Sequence, residues 1–146
     1  MNNEITFLLQ RLKGADSALF PAADTIDLTE LVRRARNELG FDPPPDYMEF
    51  LRGSDGAAAE GVLLYGARSH VVDGVDLPGV IETNLERRAY RGDLEGVILV
   101  GEFDDDFIAF DRQKGGYCRI DRASGDRHHP TDDLGRMVAD LLSFEA

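Results

Sequence analysis

Glu102, Asp104, Asp105 and Asp106 place four carboxylates within five residues. Oxygen ligands at that density suit Mg²⁺ or Ca²⁺. The same groups suit arginine or lysine side chains of a partner, through charge-assisted hydrogen bonds. Their intervals differ from those of an EF-hand loop, which also needs a central glycine. The plainer reading is a solvated turn that blunts the ends of two strands. His128 and His129 precede Pro130. Neighbours in a strand point to opposite faces, so these two imidazoles are expected not to share a metal. Cys118, near Tyr117 and Ile120, reads as a buried thiol. Ser69, His70 and Asp73 have the residue types of a hydrolytic triad, but no Gly-x-Ser-x-Gly elbow accompanies them. No phosphate-cradling glycine loop is present either. Arg87, Arg88 and Arg91, interleaved with Glu82 and Glu86, read as an exposed mixed-charge helix face. The expectation is a chain without catalytic residues, resident metal or cofactor.

Composition narrows the partner. The 146 residues carry 28 acidic and 16 basic side chains, a net charge of −12. That surface repels phosphate, which disfavours nucleic acid, and it offers no basic patch to anionic lipid. A basic protein fits better, because complementary fields steer encounter. One cysteine forbids an intrachain disulfide and suits a reducing compartment. The first residues lack the basic and apolar regions of a signal peptide. No apolar run approaches the ~20 residues of a membrane helix. A cytoplasmic protein is expected.

The elements that must position these residues follow from periodicity. Ile5, Leu8, Leu9 and Leu12 trace one helix face, with Asn2 or Asn3 as cap and Gly14 as stop. Asp27 and Glu30 resemble a capping box opening a second helix, whose stripe is Leu28, Leu31, Val32, Ala35 and Leu39, closed by Gly40. Pro43 to Pro45 end that pattern, and Pro45 starts a helix facing inward with Tyr47, Phe50 and Leu51. Val62 to Tyr65 reads as a buried strand, while 70–79 is ambiguous between its turn signals. Ile81, Leu85 and Ala89 predict the inner face of a further helix. Val97–Val100, Phe107–Phe110 and Tyr117–Asp121 read as strands, with a hairpin at Gln113–Gly116. Ser124-Gly125-Asp126 turns into a short edge strand with Arg127 and His128. Thr131 is expected to cap a last helix facing inward with Leu134, Met137, Val138, Leu141 and Leu142. Helices first, a strand meander next and one helix last indicate an α+β fold. It should form one domain, with a mainly antiparallel sheet of about four to six strands. Residues 1–26 are expected as a peripheral helix and loop, and no internal repeat is evident.

The order of these pieces resembles the SUKH superfamily, which includes fungal cell-wall-synthesis regulators and bacterial immunity proteins of polymorphic-toxin systems. The pieces are Leu39-Gly40 before the prolines, Pro45-Asp46-Tyr47 with Phe50-Leu51, the Gly53–Gly56 break and Gly61–Gly66. Further on come Gly101 with the acidic turn, Phe110-Asp111, Tyr117–Asp121 and Ser124-Gly125-Asp126. The break reads Ser54-Asp55-Gly56 where the family often has Asn-Gly. The resemblance implies an α+β fold and protein binding, with no catalytic residues to carry over. The expected role is an immunity protein that binds and occludes a cognate toxin. If that toxin is a basic nuclease, Glu102 and Asp104 to Asp106 would lie against its phosphate-binding cations. The alternatives are a small metal-dependent hydrolase built on the acidic turn and histidines, or a regulatory scaffold without a toxin partner.

Overall fold

The computed structural model describes residues 3–14, 18–72 and 74–142. In chain order the elements are α1 (Asn3–Gly14), β1 (Ala18–Leu19), α2 (Thr25–Arg34), α3 (Pro45–Gly53), β2 (Ala57–Ala59), β3 (Val62–Leu64), β4 (His70–Val72) and β5 (Val75–Leu77). They continue with α4 (Val80–Tyr90), β6 (Val97–Phe103), β7 (Asp106–Asp111), β8 (Gly116–Asp121), β9 (Arg127–Thr131) and α5 (Leu134–Leu141). The fold is α+β. Seven strands form one antiparallel sheet in the order β1-β2-β3-β6-β7-β8-β9. Six of them have three residues or more; β1 is a two-residue edge. β4 and β5 pair separately, and a parallel bridge between Gly66 and Gly79 closes that excursion.

The expected helix faces mostly hold, with corrections at the caps. Ile5, Leu8 and Leu12 of α1 are buried in the common core beside α3 and α5, so the helix expected at the periphery is part of the packing. The Asn2 cap lies outside the described residues. α2 starts two residues earlier than Asp27. Its cap is Asp24, whose side chain accepts the Asp27 N–H at 2.7 Å, while Glu30 pairs with Arg33 instead of closing a capping box. A π-helical turn, Ala35–Leu39, prolongs α2 to Gly40, which takes a φ of +92°. α3 runs through Gly53, where Leu9 of α1 packs in the space a β-carbon would need. Thr131 belongs to β9, and Asp133 caps α5 by accepting from the Arg136 N–H at 3.0 Å.

The inner face of α4 departs furthest from its periodicity. Leu85 and Ala89 are exposed, whereas Asn84 is buried and Arg88 is half-buried. The sheet edge beside α4 explains why. β3 ends at Leu64, opposite Gly101, so on that side β6 has no strand neighbour at Val97 and Leu99, which pair only with β7. The Asn84 amide accepts the Leu99 N–H at 2.8 Å and donates to its carbonyl at 2.9 Å; Arg88 donates to the Val97 carbonyl at 3.0 Å. Residues four apart on a helix thus match residues two apart on a strand, and α4 completes the ladder that a strand would otherwise supply. Polar side chains are needed inward there, against the apolar rule, and Arg88 is not the exposed decoration expected from its charge.

Turn chemistry fixes the hairpins. Glu60 and Gly61 both take positive φ, +48° and +88°, the form that suits a two-residue link. The β7–β8 and β8–β9 turns are built alike. Asp111-Arg112-Gln113-Lys114-Gly115 and Asp121-Arg122-Ala123-Ser124-Gly125 each use the aspartate side chain to accept main-chain N–H groups two and three residues on, with the glycine at positive φ. This recurring Asp-Arg-x-x-Gly was legible in the sequence and corrects the expectation of no repeat, though only at the scale of a turn.

Candidate protein-binding surface

The four acids of the sequence motif separate into two pairs. Asp104 and Asp105 form the exposed turn that joins β6 to β7, and Asp104 takes a φ of +51°, which aspartate bears more readily than most residues. Glu102 and Asp106 lie in the strands below. Asp106, its side chain only 8% exposed, pairs with Arg119 at 2.7 Å and stands 3.3 Å from His128. Glu102 accepts the Tyr65 hydroxyl at 2.7 Å and meets Arg122 at 3.5 Å. Arg122 also donates to the Asp104 carbonyl at 2.6 Å and, through its N–H, to the Asp105 carbonyl at 2.8 Å. Arg122 and Arg87 both lie over the buried ring of Phe107, and Arg119 lies over Phe103. Arginines from β8 and the turn after it therefore neutralise half of the acidic motif. Burial first, then the Glu102 carboxylate, pushes the Tyr65 phenol far above its ordinary value.

The histidines correct the strand-alternation argument. Tyr117 faces Thr131 and Arg119 faces His128, so β9 carries one extra residue opposite β8. His129, at a φ of +53°, turns within this bulge, and its ring meets that of His128 edge-on at 4.9 Å. Adjacent side chains therefore come together instead of pointing apart. Among the described residues no three His, Cys, Asp or Glu side chains are grouped to hold a metal ion. Cys118 is buried, and burial pushes its thiol up. His70 pairs with Asp55, in the Gly53–Gly56 break after α3. Its Nε2 lies 2.6 Å from buried Asp55, which also accepts the Ala67 N–H at 2.6 Å. Asp73 lies outside the described residues.

The opposite end of β7 carries a second acidic region that sequence spacing did not reveal. A groove of about 350 Å³ runs between the start of α3, the β7–β8 hairpin and the β9–α5 junction. Asp46, Glu49, Asp132 and Asp133 wall it, and Phe110 and Tyr117 floor it, their rings edge-on at 5.2 Å. Among the described residues, no lysine, arginine or histidine lines it. Asp46 receives the Tyr117 hydroxyl, the Tyr47 N–H at 3.0 Å and the Leu134 N–H at 2.9 Å. These donors are neutral, so they fix the carboxylate without cancelling its charge. Burial, then Asp46, pushes the Tyr117 phenol far above its usual range. An adjoining cleft of similar volume shares Gly115, Tyr117 and Asp132 with the groove. The only local sequence signal was Asp46 at a helix start. Its meeting with Leu134, 88 positions away, is a tertiary event.

No helix among the described residues is long and apolar enough to cross a membrane. No protein-family model matches the chain, and no curated protein matches it.

Proposed function

We propose that this chain is a non-enzymatic protein-binding domain of the SUKH type, a cytoplasmic immunity protein that binds a basic bacterial toxin and covers its working surface. The observation that carries the reading is the excess of twelve negative charges over the chain, with exposed Asp104 and Asp105 at one end of β7 and exposed Asp132 near the other. Such a surface accelerates encounter with a cationic partner and disfavours nucleic acid. The α+β architecture and the order of motifs support the family likeness. Exposed Asp104 and Asp105 are the carboxylates of the acidic turn that remain open to a partner's arginines. Asp106 and Glu102 act behind them, holding the turn through Arg119 and Arg122. Of the four acids of the turn motif, Asp106 is paired with Arg119 and Glu102 with Arg122.

Co-expression with the toxin domain of a neighbouring secreted-toxin reading frame tests the proposal. The expected result is rescue of growth and a stable complex on size-exclusion chromatography, with an association rate that falls as salt rises. A toxin that neither coelutes nor loses activity, or substrate turnover by the isolated chain, would sink it.

A further inference from the structure

We infer that α4 guards the open edge of β6 against pairing with a second copy of this chain, and that the guard opens before the sheet unfolds. The device is independent of the toxin-binding reading.

A sheet edge presents N–H and C=O groups that any extended chain can satisfy. The outer strands of this sheet carry their own defences. β9 holds Pro130, which has no N–H to give, and a bulge with His129 at positive φ. β1 is only two residues long. β6 has neither defence. Its Val97–Val100 stretch is four aliphatic residues without charge or proline, each fully buried. Such a stretch pairs readily with its own copies once uncovered.

Beside Val97 and Leu99 the cover is α4, and it works through side chains. The Asn84 amide exchanges two hydrogen bonds with Leu99, as a strand residue would, and also donates to the Val80 carbonyl at 2.7 Å. Arg88 bridges the Val97 and Leu39 carbonyls, both at 3.0 Å. Four residues of helix rise about 6.0 Å and two of strand about 6.8 Å, so the two side chains keep step with the edge. An apolar inward face would cover the strand equally well but leave these main-chain groups without partners. The polar pair closes the edge to hydrogen bonding.

The same choice makes the guard releasable. The buried apolar residues of α4 are Val80 and Ile81, both in its first turn, whereas Leu85 and Ala89 are exposed and Tyr90 is 85% exposed. Past that turn Asn84, Arg88 and Arg87, whose guanidinium lies over Phe107, hold the helix down. β6, by contrast, is paired with β7 from Val97 to Phe103. Lifting α4 breaks a few side-chain contacts, while lifting β6 breaks the sheet. Net charge is a second safeguard, since two chains at −12 repel and salt weakens that repulsion.

Native-state hydrogen exchange reads the opening. Strand alternation turns the main chain of Leu99 toward α4 and that of Ile98, opposite Phe110, toward β7. In the native protein the Leu99 amide should exchange at least about tenfold faster than the Ile98 amide, after correction for intrinsic rates. The variant Asn84→Leu with Arg88→Met keeps bulk and removes the hydrogen bonds. With a native far-ultraviolet spectrum, it should run as a dimer or larger species in size-exclusion chromatography with light scattering, more so as salt rises, while the native chain stays monomeric. In the associated form the Leu99 amide should be protected again, because a second β6 now accepts it. If the double variant does not fold, exchange in the native protein decides alone. Equal protection of Leu99 and Ile98 would overturn the inference. So would a folded double variant that stays monomeric in high salt, equal association of the native chain, or association that leaves Leu99 unprotected.

Discussion

The two ends of β7 carry similar numbers of carboxylates and use them in opposite ways. Along the strand they stand roughly 15–20 Å apart, at about 3.4 Å per residue. At the β6–β7 end, Glu102 and Asp106 are tied to arginines, and only the tip residues Asp104 and Asp105 remain open. At the β7–β8 end, Asp46 is tied to neutral donors, and the aromatic pair Phe110–Tyr117 lies beneath it. The lesson is that counting acids in a sequence measures charge before folding. What a partner meets is the charge left after the fold has chosen donors for each carboxylate. Ion pairing turns an acidic motif into a brace, whereas hydrogen bonding to N–H and O–H groups preserves it as a field.

The largest expected effect tests the brace and the field as structural elements. Asp46→Ala removes one acceptor shared by α3, α5 and β8, and should cost about 3 kcal/mol in urea unfolding, since each orphaned buried group costs about 1–3 kcal/mol. A loss below about 1 kcal/mol would mean that the three contacts are replaced by water. Asp106→Ala should cost somewhat less, about 2 kcal/mol, because it strands Arg119 in a largely covered position that still has some access to water. If the two variants were reversed in rank, the Asp106–Arg119 ion pair would be the stronger tie. Next in size is the kinetic effect at the tip. Asp104→Asn with Asp105→Asn should leave stability within about 0.5 kcal/mol. It should slow association with the cationic partner by about threefold and flatten the salt dependence. A change confined to the dissociation rate would instead place these residues inside the interface.

The smallest effect near neutral pH comes from a tyrosine at each end. Tyr65 and Tyr117 have folded-state pKa values raised above those of the unfolded chain, chiefly by burial and then by Glu102 and Asp46. A raised folded value means that the native state holds its proton more tightly. The corresponding stability is fully present below pH of about 10, where the free phenol titrates, and declines above it as the unfolded chain ionises first. Unfolding midpoints measured from pH 8 to beyond pH 10 should therefore stay level with respect to these groups and then fall. Tyr117→Phe and Tyr65→Phe should each make the alkaline fall shallower. An unchanged fall in both variants would assign it to other groups.

Much of the architecture was legible before any coordinates. Period-3.6 stripes located α1, α2, α3 and α5, and period-2 alternation with glycine-bearing turns located β6 to β9, because burying one face of each element is a local demand on the pattern. The caps Asp24 and Asp133 were missed by two or three residues, since several acidic or hydroxyl residues compete at each helix start and only the packing chooses. β2 was missed because Ala57–Ala59 has too little apolar bulk to announce a strand. The α4 face was misread because its inward residues, Asn84 and Arg88, serve the open edge of β6, and periodicity counts only apolar side chains.

Composition and local pattern by themselves determined an acidic, single-cysteine α+β chain, the place of the meander, and the presence of a charged turn at 102–106. Tertiary structure alone decided which carboxylates keep their charge. That choice depends on contacts between segments as far apart as Asp46 and Leu134, and on a bulge that brings His128 to His129. Spacing along the chain constrains neighbours within a turn or a strand, but the donor that meets a given carboxylate is set by the packing of whole elements, and no local signal encodes it.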